Sequence, residues 1–281
     1  MKNTIIGPHL SNSKGFVNII KEAKKINANT FQFFTRNPRG TKIKKVDLKD
    51  IEEFKNEWRE KYNTPFVAHA PYTYNLCSKN PDLRELALKL MDEDIKRLDL
   101  IECPYYNFHP GSHTAQGTEK AIDQIIEALN ILISNNQNSN VTLLLETMAG
   151  KGTEIGRTFN ELQTIRNGIN NKDRVKILLD TCHVFDGGYD IKDNLDNVLE
   201  NFDKTIGINN LKAIHLNDSK NILNSHKDRH EQLGKGNIGL LAINKIISHP
   251  VLKNLPFLLE TPNDLDGYKK EIELIREMKE I

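Results

Sequence analysis

Short apolar runs with strand-like composition alternate along the chain with longer segments in which apolar residues recur every three or four positions. Strands that alternate with helices pair in parallel through right-handed crossovers, so this pattern predicts an α/β fold. Eight repeats predict a closed (β/α)8 TIM barrel; a doubly wound sheet is the alternative, although no GxGxxG motif follows the first run. The predicted strands are Thr4–His9, Thr30–Phe34, Pro65–Ala70, Tyr105–His109, Val141–Glu146, Val175–Asp180, Leu211–Leu216 and Pro256–Glu260.

Several of the intervening segments contain an apolar stripe at helical spacing, which predicts helices with one buried face. The stripes consist of Phe16, Ile19, Ile20 and Ala23; of Leu83, Leu86, Leu90 and Leu98; and of Ile122, Ile125, Ile126, Leu129, Leu132 and Ile133. Three segments that follow strands are predicted to be long loops: Thr35–Asp47, Ala70–Asp82 and Asn217–Gly239. In a barrel, the loops at this face of the strands carry the active site.

Length and composition fit one globular domain of this architecture. The 281 residues suit one barrel of about 250 residues, so we predict a single domain over residues 1–281. With 39 Lys and Arg against 38 Asp and Glu, the net charge of +1 excludes a strongly basic nucleic-acid coat but not a local basic face. The three cysteines form no CxxC motif, and we expect neither a signal peptide nor a membrane span from the apolar runs. We therefore expect an intracellular protein that is not secreted and has no membrane contacts: cytoplasmic, and nucleoid-associated or nuclear if the source is eukaryotic or viral. No obligate protein partner is evident, and a monomer is expected.

Six consecutive predicted strands end in, or are closely followed by, an imidazole or a carboxylate. Taken singly, a histidine at such a position is usually a satisfied polar residue, and an Asp or Glu usually caps the next helix. Together, however, residues of metal-ligand type would converge on one rim of the barrel. They are His69, His109, Glu146, Asp180, His183, His215, Asp228, His230 and Glu260.

This coincidence predicts metal binding, because carboxylates gathered on one rim repel each other unless they are protonated or bind cations. A mixed set of imidazoles and carboxylates without cysteine suits Zn²⁺, Mn²⁺ or Fe²⁺. At about three protein ligands per catalytic ion, the set suffices for three ions. Glu146 is suited to bridge two of them, and metals held close together serve phosphoryl chemistry.

The predicted loop after the second strand is basic, with Arg36, Arg39, Lys42, Lys44 and Lys45. Such a run is usually a solvated face, but its place on the same rim favours contacts to phosphate groups. Bound cations and this loop would then let a nearly neutral chain bind a polyanion.

Three further residues lie near strand ends. Tyr72 follows His69 by one short turn and by itself would be assigned to packing. His9 on the first strand and His113 beside His109 are predicted to support the ligands through hydrogen bonds rather than to bind a metal.

These motifs resemble, over essentially the whole chain, those of the endonuclease IV family of apurinic/apyrimidinic (AP) DNA endonucleases. A chance match to one block is plausible, whereas matches to all of them in order and register are not. The blocks are Gly7–Ser11, Asn107–His113, Glu146–Gly152, Leu179–His183, Gly188–Asp190, His215–Lys220, Asp228–His230, Leu233–Gly239 and Leu259–Thr261.

The resemblance implies a (β/α)8 barrel with a cluster of three zinc ions, although Mn²⁺ or Fe²⁺ is an alternative in one position. It implies one zinc on His69, His109 and Glu146, a second on Glu146, Asp180, His215 and Glu260, and a third on His183, Asp228 and His230.

The implied reaction is hydrolysis of the phosphodiester 5′ to an abasic site in duplex DNA, which leaves a 3′-hydroxyl and a 5′-deoxyribose phosphate. Trimming of blocked 3′ ends is an expected side activity. Glu146 and Glu260 would be catalytic, with Glu260 as the base that orients the attacking water.

In this family the residues matching Tyr72 and Arg39 enter the DNA at the lesion. This chain departs at Thr73 and Gly40, where relatives often carry an apolar or bulky residue.

Two other functions compete with this interpretation. A sugar isomerase or epimerase on a related barrel would share Glu146, Asp180, His215 and Glu260, but it would not need the five additional ligands. A non-catalytic DNA-binding or scaffold protein descended from the enzyme would have lost ligands, and none is lost here.

Overall fold

The computed structural model describes residues 1, 4–43 and 46–278, and eight of its strands form one parallel sheet. In spatial order the strands are β1 (Ile6–Pro8), β10 (Phe257–Leu259), β7 (Leu211–His215), β6 (Val175–Asp180), β5 (Thr142–Glu146), β4 (Tyr105–Phe108), β3 (Val67–His69) and β2 (Gln32–Phe34). The two edges meet where His9 forms a parallel bridge with Gln32, and the Leu10 N–H donates to the Gln32 carbonyl at 2.7 Å. The sheet thereby closes into a barrel, which confirms the predicted fold class.

The loop after β7 contains a small hairpin that the hydrophobic pattern did not predict. Its strands are β8 (Asp218–Ser219) and β9 (His230–Glu231), which pair antiparallel. Both strands have only two residues, too few to show the alternation by which a strand is recognised in a sequence. The hairpin places the segment between its strands above the carboxyl end of the barrel.

Helices follow every barrel strand, and a short additional helix, α6, begins directly after β6. Several helices start at side-chain caps, such as Asp47 before α2 and Asn80 before α3. Within the described residues, no helix is both long enough and apolar enough to cross a bilayer. The helices are α1 (Phe16–Lys25), α2 (Leu48–Lys61), α3 (Pro81–Leu100), α4 (Thr118–Asn135), α5 (Phe159–Asn167), α6 (Thr181–Asp186), α7 (Leu195–Thr205), α8 (Leu240–Ser248) and α9 (Leu265–Glu277).

The apolar stripes predicted for α1 and α4 pack against the barrel, whereas the stripe predicted for α3 is partly wrong. Leu83 and Leu86 are 51% and 43% exposed, because the face of α3 that packs on the barrel begins only at Ala87 and continues through Met91 and Ile95. The apolar residues in the first turns of α3 therefore match the helical period without being buried.

The barrel interior has a layered construction that follows from strand geometry. Side chains alternate between the two faces of a strand, so every second residue points inward. One interior layer is a fully buried cluster of apolar side chains, one from each of five strands. These side chains belong to Val67, Leu144, Leu178, Ala213 and Leu258.

Arg36 does not lie on the rim surface, which contradicts its predicted contact with phosphate. It is only 7% exposed, and its guanidinium donates from Nε to Asp94 Oδ1 at 2.7 Å and from Nη2 to Glu93 Oε2 at 2.8 Å. Asp94 is fully buried on α3 and also accepts hydrogen bonds from Thr35 and Tyr106. The guanidinium is turned inward because the buried carboxylate needs a cation, and it anchors the loop after β2 to α3.

We predict that Arg36→Met lowers the free energy of unfolding by about 3 kcal/mol, because the buried carboxylate of Asp94 loses its cationic partner. Urea unfolding of the metal-free protein measures this change. Lys42→Met, a change of an exposed cation in the same loop, is the control and should leave the midpoint nearly unchanged. Equal stability of both variants would contradict the structural role of Arg36.

Gly7→Ala should destabilise the barrel by about 3 kcal/mol or more, because overpacking against a backbone cannot relax. A Cβ at Gly7 would lie 1.7 Å from the backbone oxygen of Thr30, which belongs to the segment entering β2. Gly40→Ala is the matched control, since its Cβ would meet nothing nearer than 4.0 Å. The urea midpoints of the two variants provide the measurement, and a wild-type midpoint for Gly7→Ala would refute this account of the strand contact.

Candidate metal centre

Five of the predicted ligands lie directly above the apolar layer, each two residues after an apolar residue on the same strand. His69 follows Val67 by two residues, and the same step leads from the other four apolar residues to their ligands. The buried apolar layer thus forms the floor of a polar site at the carboxyl end of the barrel. The ligands placed by this step are His69, Glu146, Asp180, His215 and Glu260.

The structure brings all nine predicted ligands together in three groups. Within each group, one donor atom per residue lies within 4.8 Å of all the others. These groups coincide with the sets that the family resemblance implied: His69, His109 and Glu146; Glu146, Asp180, His215 and Glu260; and His183, Asp228 and His230.

A further group, not anticipated from the sequence, contains Cys182 beside Asp180 and His230. Burial raises the pKa of the Cys182 thiol well above its usual range, and the nearby carboxylate of Asp180 raises it further. In this environment the thiol keeps its proton unless a cation displaces it.

Glu146 occupies the centre of the site and is fully buried. Its Oε2 lies 3.3 Å from Nε2 of both His69 and His109. Its Oε1 lies 3.1 Å from Nδ1 of His215 and 3.3 Å from Nδ1 of His183. Each carboxylate oxygen therefore faces a different pair of imidazoles, as a carboxylate that bridges two ions requires.

Buried imidazole nitrogens without hydrogen-bond partners show that this site suits cations. Nε2 of His69 and Nε2 of His230 are both buried and form no hydrogen bond, although carboxylate oxygens lie 3.3 Å and 3.5 Å away. The opposite nitrogen, Nδ1, faces a backbone carbonyl in each ring: Ala70 O at 2.6 Å from His69 and Glu260 O at 3.3 Å from His230. Since a carbonyl only accepts, Nδ1 carries the proton, and the lone pair of Nε2 points into the site.

The charges of the cluster support the same conclusion. Burial by itself raises the pKa of Glu146, but the imidazoles of His215 and His109 outweigh it and hold that pKa well below its ordinary value. Burial lowers the pKa of His183, yet Asp180 and the other carboxylates raise it well above its usual range. The site thus concentrates ionised carboxylates that demand positive charge, which divalent cations satisfy while leaving the imidazoles neutral.

Polar residues that sequence reasoning missed orient the ligands from behind. Asn107 donates to Glu146 Oε2 at 2.6 Å, and Asn217 donates to Asp180 Oδ2 at 2.8 Å. Both lie inside the family-like blocks, two residues from a ligand, and this position was their only signal. Gln32 carried no such signal in the sequence. Its side-chain NH2 group donates to Glu260 Oε1 at 2.7 Å, and its side-chain oxygen lies 2.8 Å from His215 Nε2.

The two histidines predicted as supports have different surroundings. His9 Nδ1 lies 3.2 Å from Gln32 Nε2 and 3.6 Å from Glu260 Oε1, so it stands directly behind the second group. His113 belongs to none of the donor groups among the described residues, and its Nδ1 accepts from the Gly117 N–H at 3.4 Å.

Tyr72 stands at the mouth of the site. Its ring centroid lies 5.1 Å from that of Phe34 and 5.5 Å from those of His69 and His109, yet the residue is 53% exposed. Its N–H donates to the carbonyl of Pro38 at 3.2 Å, which ties it to the loop after β2.

The remaining predicted rim residues follow Pro38 in that loop. Arg39 and Lys42 are exposed there, with Arg39 directly after Pro38. Lys44 and Lys45 lie outside the described residues. Arg36, in contrast, is removed from the rim by its ion pair with Asp94.

Known proteins share this architecture. A family model described as a xylose isomerase-like TIM barrel matches residues 20–278. A crystal structure of a D-tagatose 3-epimerase-like protein, at 18% identity and a TM-score of 0.71, covers 96% of this chain and 95% of that chain. At this identity the likeness concerns the fold alone.

Two further similarities identify the family and not only the fold. The protein named probable endonuclease 4 from Clostridium botulinum (strain Alaska E43 / Type E3) is 55% identical over 271 residues, which are 96% of this chain and 97% of the relative. The crystal structure of endonuclease IV from Thermus thermophilus matches with a TM-score of 0.84 and 29% identity, and the match covers 96% of this chain and 97% of that one. The chain therefore belongs to the endonuclease IV family of AP endonucleases, as its sequence motifs predicted.

Proposed function

We propose that this protein is a zinc-dependent AP endonuclease of DNA repair. It hydrolyses the phosphodiester 5′ to an abasic site in duplex DNA and leaves a 3′-hydroxyl and a 5′-deoxyribose phosphate, with 3′-end trimming as a side activity. The observation that carries this proposal is the fully buried Glu146, whose two oxygens face different imidazole pairs. A single-metal isomerase would not require a carboxylate so placed.

The donor set fits zinc, with Mn²⁺ or Fe²⁺ as an alternative in one position, and the three groups would hold three ions with Glu146 shared by two. Bound there, such ions supply Lewis acidity toward the phosphate oxygens and lower the pKa of water. Three divalent ions would also make a chain of net charge +1 strongly positive at its rim, where a polyanion approaches.

The exposure of the ligands indicates the side from which a phosphate enters. The side chains of Glu146, Asp180 and His215 are fully buried, whereas those of His109, His230 and Asp228 are 23%, 19% and 27% exposed. The scissile phosphate would therefore approach over the first and third groups, while the second group forms the back of the site.

Glu260 is suited to orient the attacking water. Its side chain is 10% exposed, the most open position in a second group whose other members are fully buried. The Gln32 amide fixes Oε1 at 2.7 Å, and Oε2 lies 3.3 Å from Nδ1 of His215. A carboxylate held at one oxygen keeps the other aligned to accept a proton from water.

Tyr72 and Arg39 would hold the opened lesion. Both are exposed at the mouth of the site, and the Tyr72–Pro38 hydrogen bond keeps the two loops together. The Tyr72 ring rests on the rings of Phe34, His69 and His109, so it offers a firm surface for stacking. Lys42 remains a proposed phosphate contact, and Lys44 and Lys45 extend the same basic stretch in the sequence.

Metal counting combined with a nicking assay on an abasic duplex tests the proposal. Wild-type protein purified without chelators should contain close to three metal ions, mostly zinc. Glu146→Gln should lose more than one ion and at least roughly a hundredfold in nicking activity while remaining folded. The reason is that an amide NH2 group, which does not bind cations, replaces one of the two bridging oxygens.

His113→Ala is the control, because this histidine belongs to none of the donor groups, and it should retain both its ions and its activity. One ion per wild-type chain with full nicking would overturn the three-ion proposal. Absence of nicking together with sugar epimerisation would favour the alternative enzyme.

Alanine at Tyr72 or Arg39 should weaken binding to an abasic duplex by roughly ten- to hundredfold, the scale expected for the loss of one stacking platform. Binding to intact duplex should change little, and the metal content should not change because neither residue is a ligand. Lys42→Ala is the control, since a phosphate contact weakens binding to both duplexes equally. The same equal weakening for Tyr72→Ala would mean that the ring does not recognise the lesion.

A further inference from the structure

The third donor group depends on a loop rather than on a barrel strand. Asp228 lies between β8 and β9, in a segment where non-glycine residues repeatedly have positive φ: Asn224 at 62°, His226 at 54° and Asp228 itself at 56°. Asn, Asp and His adopt this conformation more often than other residues with side chains, but it still costs free energy and persists where the surroundings favour it. The shape that brings Asp228 to His183 therefore needs an external support.

Apolar burial does not supply that support. Asn224, His226 and Lys227 are exposed, and the apolar side chains of this segment also face solvent, with Ile222 71% and Leu223 37% exposed. Hydrogen bonds to other elements must hold the segment instead.

Most of those hydrogen bonds involve Asp186, the last residue of α6, which is fully buried. Two others join the segment to neighbouring carbonyls: the Asn224 N–H donates to Phe185 O at 3.1 Å, and His226 Nδ1 lies 2.7 Å from Ala149 O. Its Oδ2 accepts from the Asp228 N–H at 2.9 Å and from Asn221 Nδ2 at 2.8 Å, while its Oδ1 accepts from Ser219 Oγ at 2.6 Å. The carbonyl of Asp186 also accepts from the His226 N–H at 2.9 Å. Asp186 thus bonds to the segment at both ends and near its middle, and its side chain supplies the bonds at the two ends.

The same short helix also carries a ligand of the third group. Asp180 caps α6 by accepting from the His183 N–H at 2.9 Å, and His183 lies one turn before Asp186. His183 Nε2 lies 3.1 Å from Asp228 Oδ1. α6 therefore positions both members of the His183–Asp228 pair. It carries His183 itself, and its last residue, Asp186, holds the loop that carries Asp228.

We propose that Asp186 is a positioning residue for the third metal ion: it holds the loop in the strained shape that presents Asp228 before any ion binds. This inference rests on the proposed function for the occupancy of the third group. A carboxylate suits the task because both oxygens accept, whereas an asparagine would offer one oxygen to three donors.

Amide hydrogen exchange on metal-free protein tests the loop directly, and zinc titration against a chromophoric chelator tests the third ion. In Asp186→Ala, exchange within residues 219–228 should accelerate at least roughly tenfold while the barrel strands stay protected. Affinity for the most weakly held zinc should fall roughly ten- to hundredfold, the usual effect of losing a residue that orients a ligand.

Asp50→Ala is the matched control. Its carboxylate also accepts backbone N–H groups, from Phe16 at 2.6 Å and Val17 at 3.2 Å, but at the start of α1. This variant should lose stability without changing exchange at 219–228 or zinc affinity. Asp186→Asn should lie between wild type and Asp186→Ala in both measurements, and it carries the test if the alanine variant does not fold.

The outcomes separate this inference from the proposed function. Unchanged exchange at 219–228 in both Asp186 variants overturns the positioning role, whatever the metal count. Faster exchange with an unchanged affinity for the most weakly held zinc ion also overturns the positioning role, because binding of that ion would then not depend on the shape of the loop. If wild type binds fewer than three zinc ions while exchange still accelerates in Asp186→Ala, the three-ion proposal fails and the role of Asp186 is confined to shaping the loop.

Discussion

The period-two alternation of the barrel strands is the constraint on which the rest of this structure depends. In five strands an inward apolar side chain closes the interior, and the inward residue two positions later is an imidazole or a carboxylate. A shift of one residue in any of these strands would turn its ligand toward the helices and leave an apolar group in the site. The same pairing that holds the barrel together therefore also sets the separation of the donor atoms.

This arrangement concentrates negative charge above a buried apolar layer, and the protein compensates that charge in two ways. Around Glu146, imidazoles lie against both oxygens and leave a set of donors that favours divalent cations. Around Asp94, the inward guanidinium of Arg36 supplies the cation permanently. The two buried carboxylates differ in function because one faces groups that can release protons and the other faces a group that cannot.

Support for the site shifts from packing to hydrogen bonding as the distance from the barrel increases. His69 and His215 are fixed by strand pairing, whereas Asp228 has a strained backbone held by Asp186, and Tyr72 is joined to its neighbouring loop by a backbone hydrogen bond. A barrel can thus keep its strands constant while its loops adapt to a substrate.

The sequence by itself determined the order of the barrel strands and helices, the barrel class and which residues of metal-ligand type meet at the rim, because period-two alternation and strand ends are local properties of the chain. It did not determine the direction of the Arg36 side chain, the exposure of Leu83, the β8–β9 hairpin, or the support that Gln32 and Asp186 give to the site. These depend on partners far away in the sequence, such as Gln32 with Glu260 and Arg36 with Asp94. Only the folded chain decides which of several chemically suitable partners a side chain meets, because burial makes the cost of an unpaired polar group depend on its actual neighbours.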